Sequence, residues 1–332
     1  MTERKQAPTL KTISQMTGLA VPTVSRALSG ATDIGEKTRQ RVRSVAAEIG
    51  YVPNRAGVRL RTGRSYVISL VLPTESDVMN VTARLINSSA SALRGSRYHL
   101  TITPVFPDED PMKAVRTIVE TRTADGVILN QLAPEDPRVR YLMDQNFPFA
   151  THGRTKWSAQ HDYFDFDNYA YARLAVQRLA AKGRRNIALL APPREQFYAL
   201  EMIRGAQEAA ELAGVAMRVM DGVTSDTPTD LIEKAVAEAQ TSHDRPDGII
   251  TASSAACMAA VIGIENAGLT LGRDLDLYSK EAIPFLERFR PQILTQFEDA
   301  WAAGSFLAEA VLKRIEDPQA PLRQKLDVPR EG

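Results

Sequence analysis

Residues 9–28 read TLKTISQMTGLAVPTVSRAL, with helically spaced apolar residues on both sides of Gly18. Two short helices joined by a glycine-containing turn form a helix-turn-helix pattern. We expect five apolar residues of this stretch to share a small core: Ile13, Met16, Leu19, Val24 and Leu28.

The other side chains of the second segment are short or basic, and we expect them to face solvent: Val21, Pro22, Thr23, Ser25 and Arg26. A helix with such a face fits the DNA major groove, where an arginine can pair with guanine. An amphipathic helical hairpin can also be a core element of a larger domain, so the hairpin alone leaves both interpretations open.

The segment after the hairpin favours DNA binding. A third helical pattern over residues 36–49 repeats apolar residues at Val42, Val45, Ala46 and Ile49. Residues 1–64 carry 12 Lys and Arg against four Asp and Glu, a net charge of +8, whereas the remaining 268 residues carry a net charge of −7. Such segregation predicts a basic DNA-facing head on an acidic body.

Specific motifs add a resemblance to a known family. They are TVSR at 23–26, KTR at 37–39, GYVPNR at 50–55 and Leu60. In this order they resemble the lactose-repressor (LacI-type) family of bacterial transcription regulators, most strongly up to about residue 64. The resemblance implies that Val21, Pro22 and Arg26 meet bases, and that Leu60 of a hinge helix wedges between base pairs in the minor groove.

The resemblance also assigns further DNA-binding candidates: Thr9, Leu10, Thr23, Ser25, Asn54, Arg55 and Gly57. Two positions depart from the family pattern. Ala20 stands where a serine usually caps the second helix, which weakens its first turn by about 1 kcal/mol. Gly57 replaces a better helix former in the hinge, so we expect the hinge helix to be less stable without DNA.

From residue 65 onward, short apolar runs alternate with helical segments. Strands are predicted at 66–72, 98–105, 126–130, 147–151, 187–191, 215–220, 248–252 and 275–278, and helices at 79–95, 111–122, 137–145, 169–182, 198–213, 228–241 and 254–267. Alternation of this kind predicts an α/β fold with parallel sheets. The predicted domains are a helix-turn-helix head at 1–52, a hinge at 53–64 and a body at 65–332. The resemblance implies a two-lobed periplasmic-binding-protein-like body, with the chain crossing near 165, 295 and 325.

Enzyme functions are disfavoured by missing motifs. No glycine-rich turn follows the first strand, and no Walker A, Gly-x-Ser-x-Gly or His-Glu-x-x-His pattern is present. The four histidines lack metal-ligand spacing, and the single cysteine, Cys257, lies in an apolar stretch typical of a packed thiol. We therefore expect a non-enzymatic protein without cofactor or metal. A helix-turn-helix head fused to a sugar-acting enzyme, such as a sugar kinase, is the competing hypothesis.

Ligands of open α/β lobes lie at the carboxyl ends of the strands. Positions there that match the family's effector contacts are Asp77, Asn130, Arg154, Phe166, Ser253 and Glu281, with Tyr198 and Lys280 as neighbours. Mixed donors, acceptors and an aromatic face suit a polyol, which favours a neutral mono- or disaccharide. Arg154 and Lys280 leave an acidic or phosphorylated sugar open. Met202 and Gly153 replace an arginine and an aspartate frequent in the family, so the ligand can differ from those of known relatives.

The family mechanism implies a symmetric dimer on a pseudopalindromic operator, with repression relieved by a small inducer. A corepressor, as in the purine-repressor branch, is the alternative. No C-terminal leucine heptad is visible, so a dimer is expected rather than a tetramer. Neither an apolar leader nor a run of 18 apolar residues occurs, so we expect a cytoplasmic protein without membrane contact.

Overall fold

The computed structural model describes residues 8–52, 57, 59, 62–74, 81–106 and 108–330. The chain forms two compact units, residues 1–65 and 66–332, here named the head and the body.

The head contains three helices, α1 (Leu10–Thr17), α2 (Val21–Leu28) and α3 (Glu36–Glu48). Thr9 caps α1, because its hydroxyl accepts a hydrogen bond from the Thr12 amide. Gly18 ends α1 with φ of 69°, a left-handed conformation that glycine adopts without strain. The helices bury a common core of Ile13, Val24, Ala27, Val42 and Ala46.

The prediction that Met16 belongs to the head core is wrong. Met16 is 48% exposed, whereas Thr17 is buried and donates a 2.7 Å hydrogen bond from its hydroxyl to the Ile13 carbonyl. A threonine can occupy a buried helical position because this bond satisfies its polar group. The side of α1 that carries Met16 therefore faces solvent.

The body contains two sheets in which all paired strands are parallel. The first sheet has the order β11-β5-β4-β3-β1-β2, with β1 (Val67–Pro73), β2 (His99–Val105), β3 (Gly126–Asn130), β4 (Phe149–His152), β5 (Asp162–Phe166) and β11 (Gln324–Asp327). The second has the order β10-β9-β8-β6-β7, with β6 (Asn186–Leu190), β7 (Ala216–Val219), β8 (Gly248–Thr251), β9 (Asp276–Glu281) and β10 (Leu294–Phe297).

Helices cover both sheets and define two lobes. The first lobe combines the first sheet with α4 (Ala83–Ala92), α5 (Pro111–Thr121), α6 (Pro137–Asp144) and α12 (Ala300–Glu316). The second lobe combines the second sheet with α7 (Asn168–Ala181), α8 (Phe197–Ala213), α9 (Thr229–Ala239), α10 (Ser254–Asn266) and α11 (Leu286–Phe289). The chain passes between the lobes after β5 and after β10, and near residue 325 it forms the edge strand β11.

The predicted architecture, a helical N-terminal region followed by an α/β body with parallel sheets, is confirmed. All eight predicted strands are present, β3 with the predicted ends and the other seven with shifted ends. Three further strands, β5, β10 and β11, and two further helices, α11 and α12, were not predicted.

Candidate functional site

The exposed face of α2 carries the residues predicted to meet DNA. Val21, Pro22 and Arg26 are exposed, whereas Thr23 and Ser25 are half-buried. Arg26 forms an ion pair with Asp33, and both side chains are about half exposed. An exposed pair of this kind contributes little energy, so Arg26 can exchange Asp33 for a base edge at small cost. No side chain caps α2 at Ala20, as expected.

The other DNA-binding candidates have different surroundings. Thr9 is exposed and caps α1, while Leu10 packs partly against the head core. Gly57 is exposed and helical, with no heavy atom within 4 Å of a Cβ built on it. Asn54, Arg55 and Leu60 lie outside the described residues.

A cavity of about 120 Å³ lies between the two lobes, where the carboxyl ends of both sheets face each other. Six predicted effector residues line it: Asn130, Arg154, Tyr198, Ser253, Lys280 and Glu281. Phe166 is buried behind this lining, and its ring centroid lies 5.4 Å from the Lys280 ammonium. Asp77 lies outside the described residues. Strand ends from both lobes thus contribute to one cleft.

Lys280 is the cation that the second lobe contributes to the cavity lining, and it is buried. Its Nζ lies 2.9 Å from Glu298 Oε2 and donates a 3.0 Å hydrogen bond to Asn168 Oδ1. The ammonium also lies 5.4 Å from the Tyr198 ring centroid, which adds a cation–π attraction. Glu298 Oε2 has the ion-pair distance but no well-aligned hydrogen bond within the described structure.

Arg154 is the cation that the first lobe contributes to the cavity lining. Its Nε donates a 2.7 Å hydrogen bond to Asp165 Oδ2, and its Nη2 donates a 3.4 Å bond to Glu201 Oε2. Burial raises the pKa of Asp165 to about 6, against the opposing effect of Arg154. Both cations of the cleft are thus already paired with carboxylates.

The polar lining as a whole is acidic. Four carboxylates line the cavity, Asp165, Asp226, Glu281 and Glu298, against the two cations Arg154 and Lys280. Glu281 is committed to the fold, because its Oε2 accepts from the amides of Phe285 and Leu286 at 2.9 and 2.8 Å. Ser253 caps α10 through the Ala256 amide.

His152 supplies a neutral donor and acceptor at the end of β4. Burial is the main cause that lowers the pKa of His152, so its ring is neutral at pH 7. Its Nδ1 lies 3.2 Å from Asn130 Oδ1. An N–H at Nδ1 and a free lone pair at Nε2 are consistent with that contact.

Several lining residues were not among the predicted contacts: His152, Asp165, Asn168, Phe197, Asp226 and Glu298. His152 directly precedes the Gly153-Arg154 pair at a predicted strand end and could have been included by the same rule. Asp165 and Glu298 belong to β5 and the end of β10, two strands that were not predicted. Asp165 directly precedes Phe166, which was a predicted contact, whereas no signal pointed to Glu298.

Metal-binding clusters and membrane-spanning helices were looked for in the part of the chain that the structure describes. There, no group of three or more His, Cys, Asp or Glu side chains could hold a metal ion. No described helix has both the length and the apolar character needed to span a bilayer.

A helix-turn-helix head joined to a two-lobed α/β body with an interlobe cleft defines a ligand-responsive DNA-binding regulator. Comparison with known proteins agrees. Residues 9–54 match the lacI family of bacterial regulatory proteins, and residues 176–331 match the periplasmic binding protein-like domain. The HTH-type transcriptional regulator RafR of Escherichia coli is 30% identical over 267 residues, 80% of this chain and 79% of RafR.

Two solved structures share the fold. The Lac repressor dimer bound to operator and the anti-inducer ONPF has a TM-score of 0.82 at 21% identity, covering 98% of this chain and 97% of that chain. The complex of the transcriptional regulator CelR with cellobiose has a TM-score of 0.69 at 22% identity, covering 97% and 98%. The chain belongs to the LacI family of HTH-type transcriptional regulators. The prediction of a regulator rather than an enzyme is confirmed.

Proposed function

We propose that this regulator represses genes of carbohydrate uptake or catabolism and leaves its operator when a small neutral sugar binds the interlobe cleft. In this proposal residues 1–52 bind DNA, residues 53–64 form the hinge, and residues 65–332 bind the effector and a second copy of the chain. The proposal rests on one observation: the same chain has an exposed α2 surface in its head and, in its body, a cavity lined by hydrogen-bonding and aromatic side chains.

The charge arrangement favours a neutral effector over a phosphorylated or acidic one. Asp165 and Glu201 neutralise Arg154, and Glu298 neutralises Lys280. Asp226 adds a further carboxylate to the lining. An incoming phosphate would meet excess negative charge at close range, and its desolvation would not be repaid. The hydroxyl groups of a neutral sugar can instead donate hydrogen bonds to the carboxylates, while the C–H surface of the sugar ring packs against Phe197 and Tyr198.

A homodimer would place two α2 helices on a pseudopalindromic operator. The second lobe exposes a pair of aromatic side chains that a second copy of the chain could bury. Phe285 and Phe289 are 45% and 58% exposed, and their rings stack with centroids 5.4 Å apart. Replacing Phe289 by Ser should shift the sedimentation coefficient toward the monomer. An unchanged dimer would exclude this surface.

The proposal is tested by selecting duplexes from a random library with the purified protein and then titrating sugars. We expect a pseudopalindromic consensus. Melting of the full-length protein is then followed with glucose, galactose and cellobiose, and with the matched anions glucose 6-phosphate and galacturonate. A ligand at about 100 times its Kd stabilises the fold by about 2.7 kcal/mol.

Four outcomes are informative. A neutral sugar that raises the melting temperature and lowers operator affinity supports the proposal. A sugar that tightens operator binding reverses the sign to corepression. Stabilisation by the anionic analogue alone overturns the neutral-effector assignment, and no response to any sugar overturns the carbohydrate effector.

A further inference from the structure

The two lobes touch directly at one side of the cleft, around Arg154. Arg154 follows β4 in the first lobe and bonds Asp165 of the same lobe, but its Nη2 reaches Glu201 on α8 of the second lobe. The guanidinium also lies 5.5 Å from the ring centroid of Phe197, at the start of α8. Beside it, the Phe197 amide donates a 2.7 Å hydrogen bond to the Leu132 carbonyl of the first lobe.

The burial of this contact makes it stronger than a surface ion pair. The side chains of Arg154, Asp165 and Glu201 are 20%, 6% and 16% exposed. At such sites water screens charges less than at the surface, so the pair is worth more than an exposed one. Glu201 is also held by Arg204 one turn further along α8, at 3.0 Å.

Arg154 has donors left for the cleft. A guanidinium carries five N–H groups, and the bonds to Asp165 and Glu201 use two of them. Since Arg154 also lines the cavity, one side chain contacts the first lobe, the second lobe and the space between them.

We infer that Arg154 and Glu201 form an interlobe clasp that holds the cleft closed without ligand, with Arg154 as a positioning residue for the lobes. The inference rests on the proposed effector function of the cleft. A ligand that competes for the remaining donors of Arg154, or that displaces Glu201, changes the equilibrium between lobe arrangements by its differential binding. The clasp is thus the place where occupancy of the cleft is converted into a change of lobe arrangement.

The test measures the distance between the lobes in the full-length protein without any ligand or DNA. Spin labels are attached to cysteines introduced by E135C in the first lobe and D221C in the second, where both native side chains are exposed. The single native cysteine, Cys257, is fully buried and stays unlabelled. Distance distributions are recorded by double electron–electron resonance for Glu201→Gln, which is isosteric and removes only the charge.

The control is Glu208→Gln on the same helix. Glu208 contacts Tyr169 and Arg204, both within the second lobe, so this change breaks no interlobe contact. Phe197→Leu is a second test, because it removes the aromatic face under Arg154 but keeps the backbone bond to Leu132.

We expect Glu201→Gln to shift the distribution to longer, broader distances, Phe197→Leu to do so less, and Glu208→Gln to match the parent. Circular dichroism confirms that each variant is folded. Superimposable distributions for Glu201→Gln and the parent overturn the clasp, as does an equal shift in Glu208→Gln. Because no effector is used, a failure of the sugar proposal leaves this result interpretable.

Discussion

Lys280 and Glu298 form a buried ion pair at the carboxyl ends of two adjacent strands, with 2.9 Å between Nζ and Oε2. The pairing of β9 with β10 places them together, since Lys280 lies opposite Gln296 and the Glu298 amide bonds the Glu281 carbonyl. Glu298 begins the segment that returns to the first lobe. The charge of Lys280 is therefore neutralised where the second lobe connects back to the first.

Breaking this pair on one side should cost much more than removing it entirely. Lys280→Met leaves Glu298 as an unpaired buried charge, so we expect a loss of about 3–5 kcal/mol of unfolding free energy. Adding Glu298→Leu should restore most of it. Urea unfolding of the single and double variants measures both values. The same change at the exposed pair Lys156–Glu135 should cost less than about 1 kcal/mol. Additive losses at Lys280 and Glu298 would contradict the coupling.

Arg26→Ala should relax base preference at one position of the operator. A bidentate arginine–guanine contact discriminates by about 1–3 kcal/mol, and Arg26 needs to release only the exposed Asp33 to make it. Fluorescence anisotropy on the selected operator and its single-base variants measures the loss. Arg41→Ala, an exposed change on α3, serves as the control and should leave base preference intact. Uniform weakening across all duplexes would make Arg26 a phosphate contact instead.

Gly57→Ala should increase operator affinity. Gly57 is helical and exposed, nothing lies within 4 Å of the added methyl, and alanine favours a helix by about 1 kcal/mol over glycine. Gly63→Ala is the matched control, because Gly63 has φ of 69°, where alanine is strained. Operator titrations compare both with the parent. Weaker binding by Gly57→Ala would show that DNA or the partner chain comes close at this point.

The protein should lose stability in mild acid through His161. Burial is the main cause that lowers the pKa of His161 below its usual 6.5, and the ring contacts Thr155 and the Asp162 carbonyl. Below pH 6.5 the unfolded chain takes up a proton on His161, whereas the folded ring stays neutral until its lower pKa is reached. The contribution of neutral His161 to the unfolding free energy is therefore fully present above pH 6.5 and is lost as pH falls through the folded pKa. Melting temperatures from about pH 7.5 to 5.5 should therefore fall less steeply in His161→Asn. His99→Asn, at an exposed site, is the control and should retain the parental dependence of melting temperature on pH. If His161→Asn and His99→Asn showed the same dependence, the assignment of the acid sensitivity to His161 would be wrong.

Gly304→Ala should destabilise the first lobe by about 1–3 kcal/mol through overpacking. A Cβ at Gly304 of α12 would overlap the Ser88 hydroxyl and the Leu85 carbonyl of α4. Ser305→Ala on the same helix adds no bulk and should change stability by less than about 0.5 kcal/mol. Urea midpoints of the two variants decide this, and equal midpoints would mean that α4 moves away without cost.

The sequence predicted the elements whose patterns are strong and local. Buried parallel strands such as β1 and β3 are continuous apolar runs, and these were found. The strand β5 carries Asp162 and Asp165, whose charges are compensated by Arg314, 152 residues away, and by Arg154. Because of these two charged residues, β5 lacks the continuous apolar run that identified β1 and β3. The strand β11, QKLD, is a half-exposed edge strand with no apolar run. Tertiary contacts decide such segments, and a local pattern cannot show them.

The candidate site was predictable in its place but not in its charge balance. The rule that ligands lie at strand carboxyl ends gave Asn130, Ser253 and Lys280. It gave Arg154 as a ligand contact but did not identify Asp165 and Glu201 as the partners of its guanidinium. Pairing of this kind depends on the lobe arrangement, which a single sequence does not encode locally.

The order of the strands in the first sheet also has a consequence during synthesis. The second lobe uses one continuous stretch, 168–297, but the first lobe needs α12 and β11 from the far end of the chain. At ribosomal rates of about 5–20 residues per second, β11 is therefore synthesised roughly 10–30 s after β5, the strand with which it pairs. The lobe that is translated first is completed last, and until then its β5 edge and the α4 surface are open to chaperones and to wrong partners.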